Sequence, residues 1–298
     1  MDHELAIPEI VVAKKKPESQ VYDVMGGDSR WEVKIHEHGL IALLDVMPRF
    51  APLGKTADSA IVQAARVSYG EGTKQLNEDR GLIRYLARHR HTTPFEMVEF
   101  KFHHVMPIFV ARQWIRHRTA NVNEYSARYS VVKDRFYRPS MESIRQQSAT
   151  NRQGGDQAAE VATAEDFLRY LEATEAHYSD YERALNMGVS RELARIGLPL
   201  SVYTEWYWKI DLHNLFHFLS LRMDPHAQKE IRDYANAMFA LIQPIVPIAA
   251  EAFLDYRLHS VNLSRLEVDA LRTGQALATE NKREQTEWEE KKKQMGVG

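Results

Sequence analysis

The alternation of apolar and polar positions predicts several short strands. Val98, Phe100 and Phe102 alternate with Glu99 and Lys101, which is the period of two expected for a half-buried strand. The same alternation recurs over residues 202–208. Residues 40–44 form a short continuous apolar run, which is typical of a buried strand.

Apolar residues at helical spacing predict most of the remaining structure. A first helix follows an N-cap at Thr56 or Asp58, and a second is expected over residues 79–89. The segment 108–118 is apolar on most faces and predicts a central helix opened by Pro107. Further helices are expected over residues 167–188, after a cap at Asp211, over residues 226–256 and, as a solvated helix, over residues 279–293.

These elements indicate an α+β fold in which helices surround a small antiparallel-type sheet within one domain. Residues 1–30 mix charges with prolines and glycines and are interpreted as an N-terminal extension. The domain itself is predicted over residues 31–260, followed by a charged helical tail over residues 261–298. Residues 145–157 show no periodicity and are expected to form a flexible loop.

The composition narrows the possible classes of function. The 298 residues carry a net charge of -2, so the chain as a whole is not a polycation built for nucleic acid. The sequence has no cysteine, which excludes disulfides, cysteine–zinc sites and thiol nucleophiles. No stretch approaches the ~20 consecutive apolar residues of a membrane helix, and the apolar residues near the start precede the basic run 14–16, the reverse of a secretory signal. We therefore expect a cytoplasmic protein without a membrane partner.

The densest polar chemistry lies between residues 112 and 129. Arg112 and Arg116 are four positions apart, so a continuous helix would place them on one face, close to Gln113 and His117. Cations on an otherwise apolar helix need anionic partners. Those partners are either a bound phosphate, whose oxygens match guanidinium groups, or the carboxylates of a structural ion-pair network. The nearby acids are Glu96, Glu99 and Glu124.

Three further features permit a structural or a functional interpretation. Residues 91–96 form either a plain connection between helix and strand or part of a site. His213 and His217 share a helix face, but they lack the adjacent glutamate of the metalloprotease pattern, so no metal site is predicted. Arg195 stands among apolar neighbours and either forms a salt bridge with an acid such as Glu192 or binds a ligand.

Residues 116–129 resemble the signature of the flavin-dependent thymidylate synthases. That family shares the motif Arg-His-Arg-x-x-Ser-x-Asn-Glu-x-Ser-x-Arg-Tyr, which this segment matches at eight of its nine fixed positions. The departure is Asn121, which stands where the usual motif has serine and keeps a hydrogen-bonding side chain. Segments 93–96, 194–199 and 221–222 also fall where the family has its own, so the resemblance extends over roughly residues 38–257.

The resemblance implies an enzyme that methylates dUMP to dTMP through FAD, with 5,10-methylenetetrahydrofolate as carbon donor and NADPH as reductant. It also implies a homotetramer whose active sites are built from several subunits. The FAD contacts that it implies are His91, Thr93, Glu96, Arg116, His117, Arg118, Glu124, Asp211, His213 and His217. The dUMP contacts that it implies are Gln113, Arg116, Glu124, Ser126, Arg128, Arg195 and Arg222.

The missing cysteine fits this resemblance, because the cysteine-dependent synthases activate uracil by adding a thiolate. Arg222 is the predicted catalytic residue, since a guanidinium against the uracil edge favours negative charge at N3 and the carbonyl groups. Arg128 and Arg195 suit the phosphate as bidentate clamps. No histidine–acid arrangement that would activate Ser126 is evident, so we interpret it as a hydrogen-bond donor to the nucleotide.

Two other classes of function remain open. A nucleic-acid-binding module would use the arginines together with Trp114, Tyr125 and Tyr129 as a stacking surface. Steeply salt-dependent oligonucleotide binding without flavin would favour it. A histidine metallohydrolase would rest on His213 and His217, and metal analysis would separate it from the other two.

Overall fold

The computed structural model of the chain describes residues 11–14, 29–49, 55–67, 79–149 and 154–297. Within these ranges the fold is α+β, with helices packed on an antiparallel sheet. The strands are β1 (Val11–Lys14), β2 (Ser29–Ile35), β3 (Gly39–Met47), β4 (Glu99–Pro107), β5 (Asn121–Glu124), β6 (Arg145–Gln147), β7 (Gly155–Ala158) and β8 (Tyr203–Asp211). The helices are α1 (Asp58–Val67), α2 (Asp79–Arg88), α3 (Thr93–Glu96), α4 (Ile108–Trp114), α5 (Val161–Glu175), α6 (His177–Asn186), α7 (Arg191–Ala194), α8 (Leu212–Arg222), α9 (Lys229–Ile242), α10 (Pro247–Phe253), α11 (Arg265–Thr273) and α12 (Lys282–Met295).

Six of the strands form one sheet in the order β1-β2-β3-β4-β8-β5. β4 and β8 pair along their whole lengths at the centre. Their alternate side chains Phe100, Phe102, Trp206 and Trp208 are buried in the main core, which confirms the alternation predicted for both segments. β3 confirms the predicted strand at residues 40–44 and continues it to Met47.

The central helix α4 is shorter than predicted. It ends at Trp114, and the backbone N–H of His117 bonds to the Trp114 carbonyl at 2.9 Å in a tight turn. The chain must turn here because residues 121–124 pair with β8 as an edge strand. The prediction that Arg112 and Arg116 share a helix face is therefore wrong, since Arg116 lies beyond the helix.

Two other predicted helices are interrupted. The helix expected over residues 226–256 is divided into α9 and α10, because Pro244 and Pro247 cannot donate the backbone hydrogen bonds of a continuous helix. After α10 the chain continues as a π-helical turn, Leu254–Leu258. The helix expected over residues 167–188 is divided at Ala176 into α5 and α6, and α6 ends at Asn186, close to the predicted stop at Gly188, whose φ is +86°.

The loop expected over residues 145–157 is partly ordered as a ladder. β6 and β7 pair antiparallel, with Arg145 opposite Ala158 and Gln147 opposite Gly155, while residues 150–153 lie outside the described ranges. All the residues of both strands are exposed. A strand pair with no buried face has no apolar alternation, so the sequence carried no signal for it.

Three details at the ends of the fold also differ from prediction. Asp58 does not cap α1; its carboxylate accepts hydrogen bonds from the backbone N–H groups of Ile248 and Ala249 and so caps α10. The tail helix α12 is not wholly solvated, because Trp288 is buried and Lys291 pairs with Glu267 at 2.8 Å. β1 lies within the predicted N-terminal extension and pairs with β2. The domain boundaries at residues 30 and 260 stay a prediction.

None of the helices in the described part of the chain is long and apolar enough to cross a membrane.

Candidate functional site

The segment after α4 forms one edge of the sheet and carries most of the predicted site. The fully buried Trp114 anchors its beginning. β5 then pairs with β8, from Asn121 opposite Lys209 to Glu124 opposite Trp206. Residues 116–118 therefore lie at one end of this edge strand, and residues 124–129 lie at the other.

A cavity of about 360 Å³ opens beside β5 and the beginning of β8. This volume is within the usual range for small-molecule sites. Four of the predicted dUMP contacts line it, namely Glu124, Ser126, Arg128 and Arg195. The other lining residues are Ile108, Tyr125, Ala127, Val132, Leu198, Pro199, Leu200, Val202, Tyr203 and Thr204.

Hydrogen bonds order the polar side of the cavity. The Thr204 hydroxyl donates to Glu124 Oε1 at 2.6 Å, and Thr204 itself is only 6% exposed. The Arg128 backbone N–H lies 3.4 Å from Ser126 Oγ. In the described ranges no histidine or carboxylate bonds to Ser126, so nothing there would activate it as a nucleophile.

The two arginines of the cavity carry unopposed charge. Arg195 Nε lies 3.4 Å from the backbone carbonyl of Glu192, so the alternative of a salt bridge to the Glu192 carboxylate is wrong. The Arg128 guanidinium lies 5.4 Å from the centroid of the Tyr129 ring. Neither guanidinium pairs with a carboxylate of the residues described, which leaves both available to an anion.

A second group of predicted residues meets at the end of α8. Arg222 Nε donates to His117 Nε2 at 3.1 Å, and the His117 and His217 rings lie 6.0 Å apart. Arg257 Nη2 lies 3.0 Å from His217 Nδ1. Because a guanidinium can only donate, both imidazoles act as acceptors and are neutral. We call His117, His217, Arg222, Arg257 and the neighbouring Arg116 the cation cluster.

The members of the cation cluster lower one another's pKa. Burial is the largest cause that lowers the pKa of His117 from 6.5 to about 4, and the nearby Arg222 guanidinium is the next. Burial and the charge of Arg116 lower the pKa of the Arg222 guanidinium. Burial and Arg257 lower the pKa of His217. No carboxylate within the described ranges pairs with this cluster, so its electrostatics favour an anionic ligand.

Five other predicted flavin contacts lie on or beside α3 and α8, namely His91, Thr93, Glu96, Asp211 and His213. Arg118 lies in the segment between α4 and β5. α3 packs against α8 and is anchored by the buried Phe95. The Asp211 side chain accepts a hydrogen bond from the backbone N–H of Asn214 at 2.9 Å, so the helix cap predicted there is confirmed.

Three predicted dUMP contacts lie outside the cavity. Gln113 hydrogen-bonds to the side chain of Gln228. Arg222 bonds to His117. Arg116 is close enough to Arg222 for its charge to lower the pKa of the Arg222 guanidinium, and it does not line the cavity. Within one chain, four of the predicted dUMP contacts therefore line the cavity, Arg116 and Arg222 belong to the cation cluster, and Gln113 belongs to neither.

The structural alternatives to a ligand site are not formed among the described residues. Glu99 pairs with Lys209 at 3.0 Å and Glu124 accepts from Thr204, so neither acid neutralises the motif arginines. Trp114 is 0% exposed and cannot stack on a base, as the nucleic-acid interpretation requires. The described ranges contain no group of three or more potential metal ligands from histidine, cysteine, aspartate and glutamate.

Two residues of the site were not predicted from the sequence. Thr204 lies on the alternating segment 202–208, but its partner Glu124 is 80 positions away, so only the strand register brings them together. Arg257 lies in the π-helical turn and meets His217, 40 positions away. Neither position carries a local signal beyond its residue type.

Comparison with known proteins gives consistent matches. A family model described as thymidylate synthase complementing protein matches residues 50–248. The chain is 67% identical over 293 residues to a flavin-dependent thymidylate synthase of Dictyostelium discoideum, covering 98% of this chain and 97% of that protein. It is 54% identical over 235 residues to a flavin-dependent thymidylate synthase of Gluconobacter oxydans, covering 78% of this chain and 75% of that protein.

A solved structure shows the same fold. The UMP/dUMP methylase PolB from Streptomyces cacaoi, bound with 5-Br UMP, superposes with a TM-score of 0.65 at 32% identity. The match covers 76% of this chain and 97% of that chain. A second structure of the same methylase, bound with 5-Br dUMP, matches with the same TM-score of 0.65.

Proposed function

Because the chain belongs to the family of flavin-dependent thymidylate synthases, we propose that it methylates dUMP to dTMP through FAD, with 5,10-methylenetetrahydrofolate as carbon donor and NADPH as reductant. The observation that carries the proposal is the convergence of Glu124, Ser126, Arg128 and Arg195 on one cavity. The absence of cysteine agrees with it, since no thiolate is available to activate the uracil ring.

The cavity suits a nucleoside monophosphate. Arg128 and Arg195 have no carboxylate partner among the described residues and can hold phosphate oxygens in a bidentate manner. Apolar walls such as Leu198 and Val202 suit the flat faces of a uracil ring. Glu124, oriented by Thr204, and Ser126 then supply hydrogen bonds to the polar edges of the nucleotide.

The cation cluster fits the phosphates of FAD. The guanidinium groups of Arg116 and Arg257 have no carboxylate partner in the described ranges and match phosphate oxygens, whereas Arg222 is assigned to dUMP. We propose that Arg116, His117 and Arg118 contact the flavin nucleotide together with His213 and His217. The residues His91, Thr93, Glu96, Glu124 and Asp211 complete the proposed set of FAD contacts. When bound, the flavin supplies the reducing equivalents for the methylation.

Arg222 is the proposed catalytic residue. Its Nε donates to His117, and neither Nη group bonds to a residue of the described ranges, so both can donate to an anion. A guanidinium in a half-buried site stabilises negative charge that develops on the uracil ring more strongly than it would in water. Gln113 and Arg116 are proposed to contact dUMP from the same side.

We also propose a homotetramer, in which the cavity of one chain meets the cation cluster of another. The separation of the predicted dUMP contacts into two groups within one chain supports this arrangement. So do large apolar side chains on the surface near the cavity, since Ile196 and Leu200 are 74% and 63% exposed. Light scattering should then give about four times the chain mass of 34.5 kDa. A cytoplasmic location stays a prediction.

The first test is a visible absorption spectrum of the purified protein, supplemented with FAD and desalted. We expect a retained flavin band that anaerobic NADPH bleaches, followed by conversion of dUMP to dTMP in the presence of the folate. A folded sample that retains no flavin would overturn the proposal. Salt-dependent oligonucleotide binding by such a sample would favour the nucleic-acid class instead.

A further inference from the structure

Around the interface between α2 and the segment that runs from α10 into the π-helical turn, the arginines are of two kinds. The first kind is neutralised. Arg84 Nη1 lies 2.7 Å from both Glu251 and Asp255, and Arg80 pairs with Glu251 as well. Arg84 Nη2 also donates to the Tyr256 hydroxyl at 2.6 Å. These contacts account for the packing of the two elements.

The second kind has no acid among the described residues. Arg257 follows Tyr256 directly, and its Nη2 bonds to the neutral His217 at 3.0 Å. Burial and the charge of Arg90 lower the pKa of the Arg257 guanidinium, so the two arginines repel each other. Unlike Arg84, neither forms a salt bridge with a residue of the described ranges. Holding two like charges together is unfavourable unless an anion joins them.

The backbone at Arg90 adds to this observation. Arg90 has a φ of +57°, and the next residue, His91, donates its backbone N–H to the Leu86 carbonyl at 3.0 Å. This is the residue after a helix end that is normally glycine, because a Cβ is unfavourable there. The sequence places a long cationic side chain where glycine would be easier. Such strain is common in ligand-binding segments.

We propose that Arg90, Arg257 and His217, which we call the arginine corner, bind a phosphoryl group of a dinucleotide. This inference rests on the proposed function and deepens it, because His217 and Arg257 also belong to the cation cluster. The shared chemistry is a phosphate dianion or a pyrophosphate. Its source is either FAD or the phosphorylated adenosine of NADPH, and the experiment distinguishes the two. Arg257 contacts the phosphoryl group directly, and His217 joins that contact to the flavin residues.

The test compares the full-length Arg257→Gln and Arg90→Gln variants with Arg80→Gln. Arg80→Gln is the matched control, because it also removes one arginine charge near this interface, but Arg80 is already paired with Glu251. One arm measures FAD affinity by quenching of flavin fluorescence. The other arm measures the rate of flavin reduction by NADPH and by NADH. Thermal unfolding without ligands checks the fold of each variant.

We expect Arg257→Gln and Arg90→Gln to weaken binding of one dinucleotide by about tenfold or more, the usual effect of losing a charge-assisted hydrogen bond. A loss of FAD affinity identifies the flavin as the source of the phosphoryl group. A loss confined to NADPH, with NADH unchanged, identifies the reductant. Arg257→Lys should recover part of the loss, because it restores the charge but not the guanidinium geometry.

Stability separates this role from a structural one. Removing one of two repelling arginines should leave the unfolding temperature without ligand unchanged or raise it. The proposal is overturned if both arms match the unmutated protein, or if Arg257→Gln lowers the unfolding temperature and affects binding no more than Arg80→Gln does. An unmutated protein that neither retains flavin nor methylates dUMP would instead contradict the proposed function.

Discussion

Replacing Thr204 by valine removes one hydroxyl from the cavity and keeps the shape of the side chain. Thr204 is buried on β8, and valine is β-branched like threonine, so we expect the strand to form normally. The change deletes the hydrogen bond of 2.6 Å to Glu124 Oε1. It therefore tests whether the orientation of this carboxylate matters for the nucleotide.

The expected loss follows from the surroundings of the two groups. A hydrogen bond to a charged group contributes about 1.5–3 kcal/mol. Glu124 is exposed, so water can replace the lost donor, and the lower limit of about 1.5 kcal/mol applies. This corresponds to a rise of roughly tenfold in KM for dUMP or an equal loss in kcat/KM. FAD retention should change less, because the cation cluster lies at the other end of β5.

The assay is steady-state dUMP methylation with FAD content measured by absorbance. Thr204→Ser is the matched control, since it keeps the hydroxyl and loses only a methyl group, and it should retain most of the activity. A valine variant with an unchanged KM and kcat would refute the orienting role of Thr204. A serine variant as impaired as the valine variant would assign the effect to packing instead.

Four further outcomes are expected. Arg222→Ala should abolish methylation while FAD stays bound, and loss of the flavin band would count against its assignment to dUMP. Ser126→Ala should keep measurable turnover, whereas complete inactivation with intact dUMP binding would indicate a nucleophile. Folding lowers the pKa of His117 from 6.5 to about 4, so on acidification the unfolded chain binds this proton before the folded protein does. The free energy of unfolding should therefore decrease as pH falls from 6.5 to about 4. In denaturant titrations, His117→Asn should remove that part of the pH dependence. Asp58→Ala leaves two backbone N–H groups at the start of α10 without their acceptor, so the free energy of unfolding in a urea titration should fall by about 3 kcal/mol. A fall of less than about 1 kcal/mol would mean that water replaces the carboxylate.

The sequence predicted those elements whose side chains alternate against a buried face. β4 and β8 show this, because Phe100, Phe102, Trp206 and Trp208 all point into one core. It failed where no face is buried, as in the ladder of β6 and β7. The predicted helix α4 was also too long. It ends at Trp114 because the following segment pairs with β8, and a local pattern cannot show such a tertiary contact.

The residue types of the site were predictable, but their grouping was not. The motif alone indicated Glu124, Ser126 and Arg128 as neighbours, and these residues do line one cavity. Arg195 joins them from a helical segment 67 positions beyond Arg128, and nothing local indicates that approach. Arg257 could not be found at all, because its position depends on a π-helical turn whose sequence resembles that of an ordinary helix.

The arrangement of residues 116–129 explains why so much of the chemistry is concentrated in one short segment. Its first residues belong to the cation cluster, and its later residues line the cavity, while β5 holds the two at a fixed separation along β8. A paired strand has a nearly constant rise per residue, so it fixes the distance between two ligands better than a loop does. Insertion or deletion of one residue within β5 would also move the side chains beyond it to the opposite face of the sheet. Under the proposed function, the fixed spacing of the motif therefore sets the distance between the flavin contacts and the nucleotide contacts.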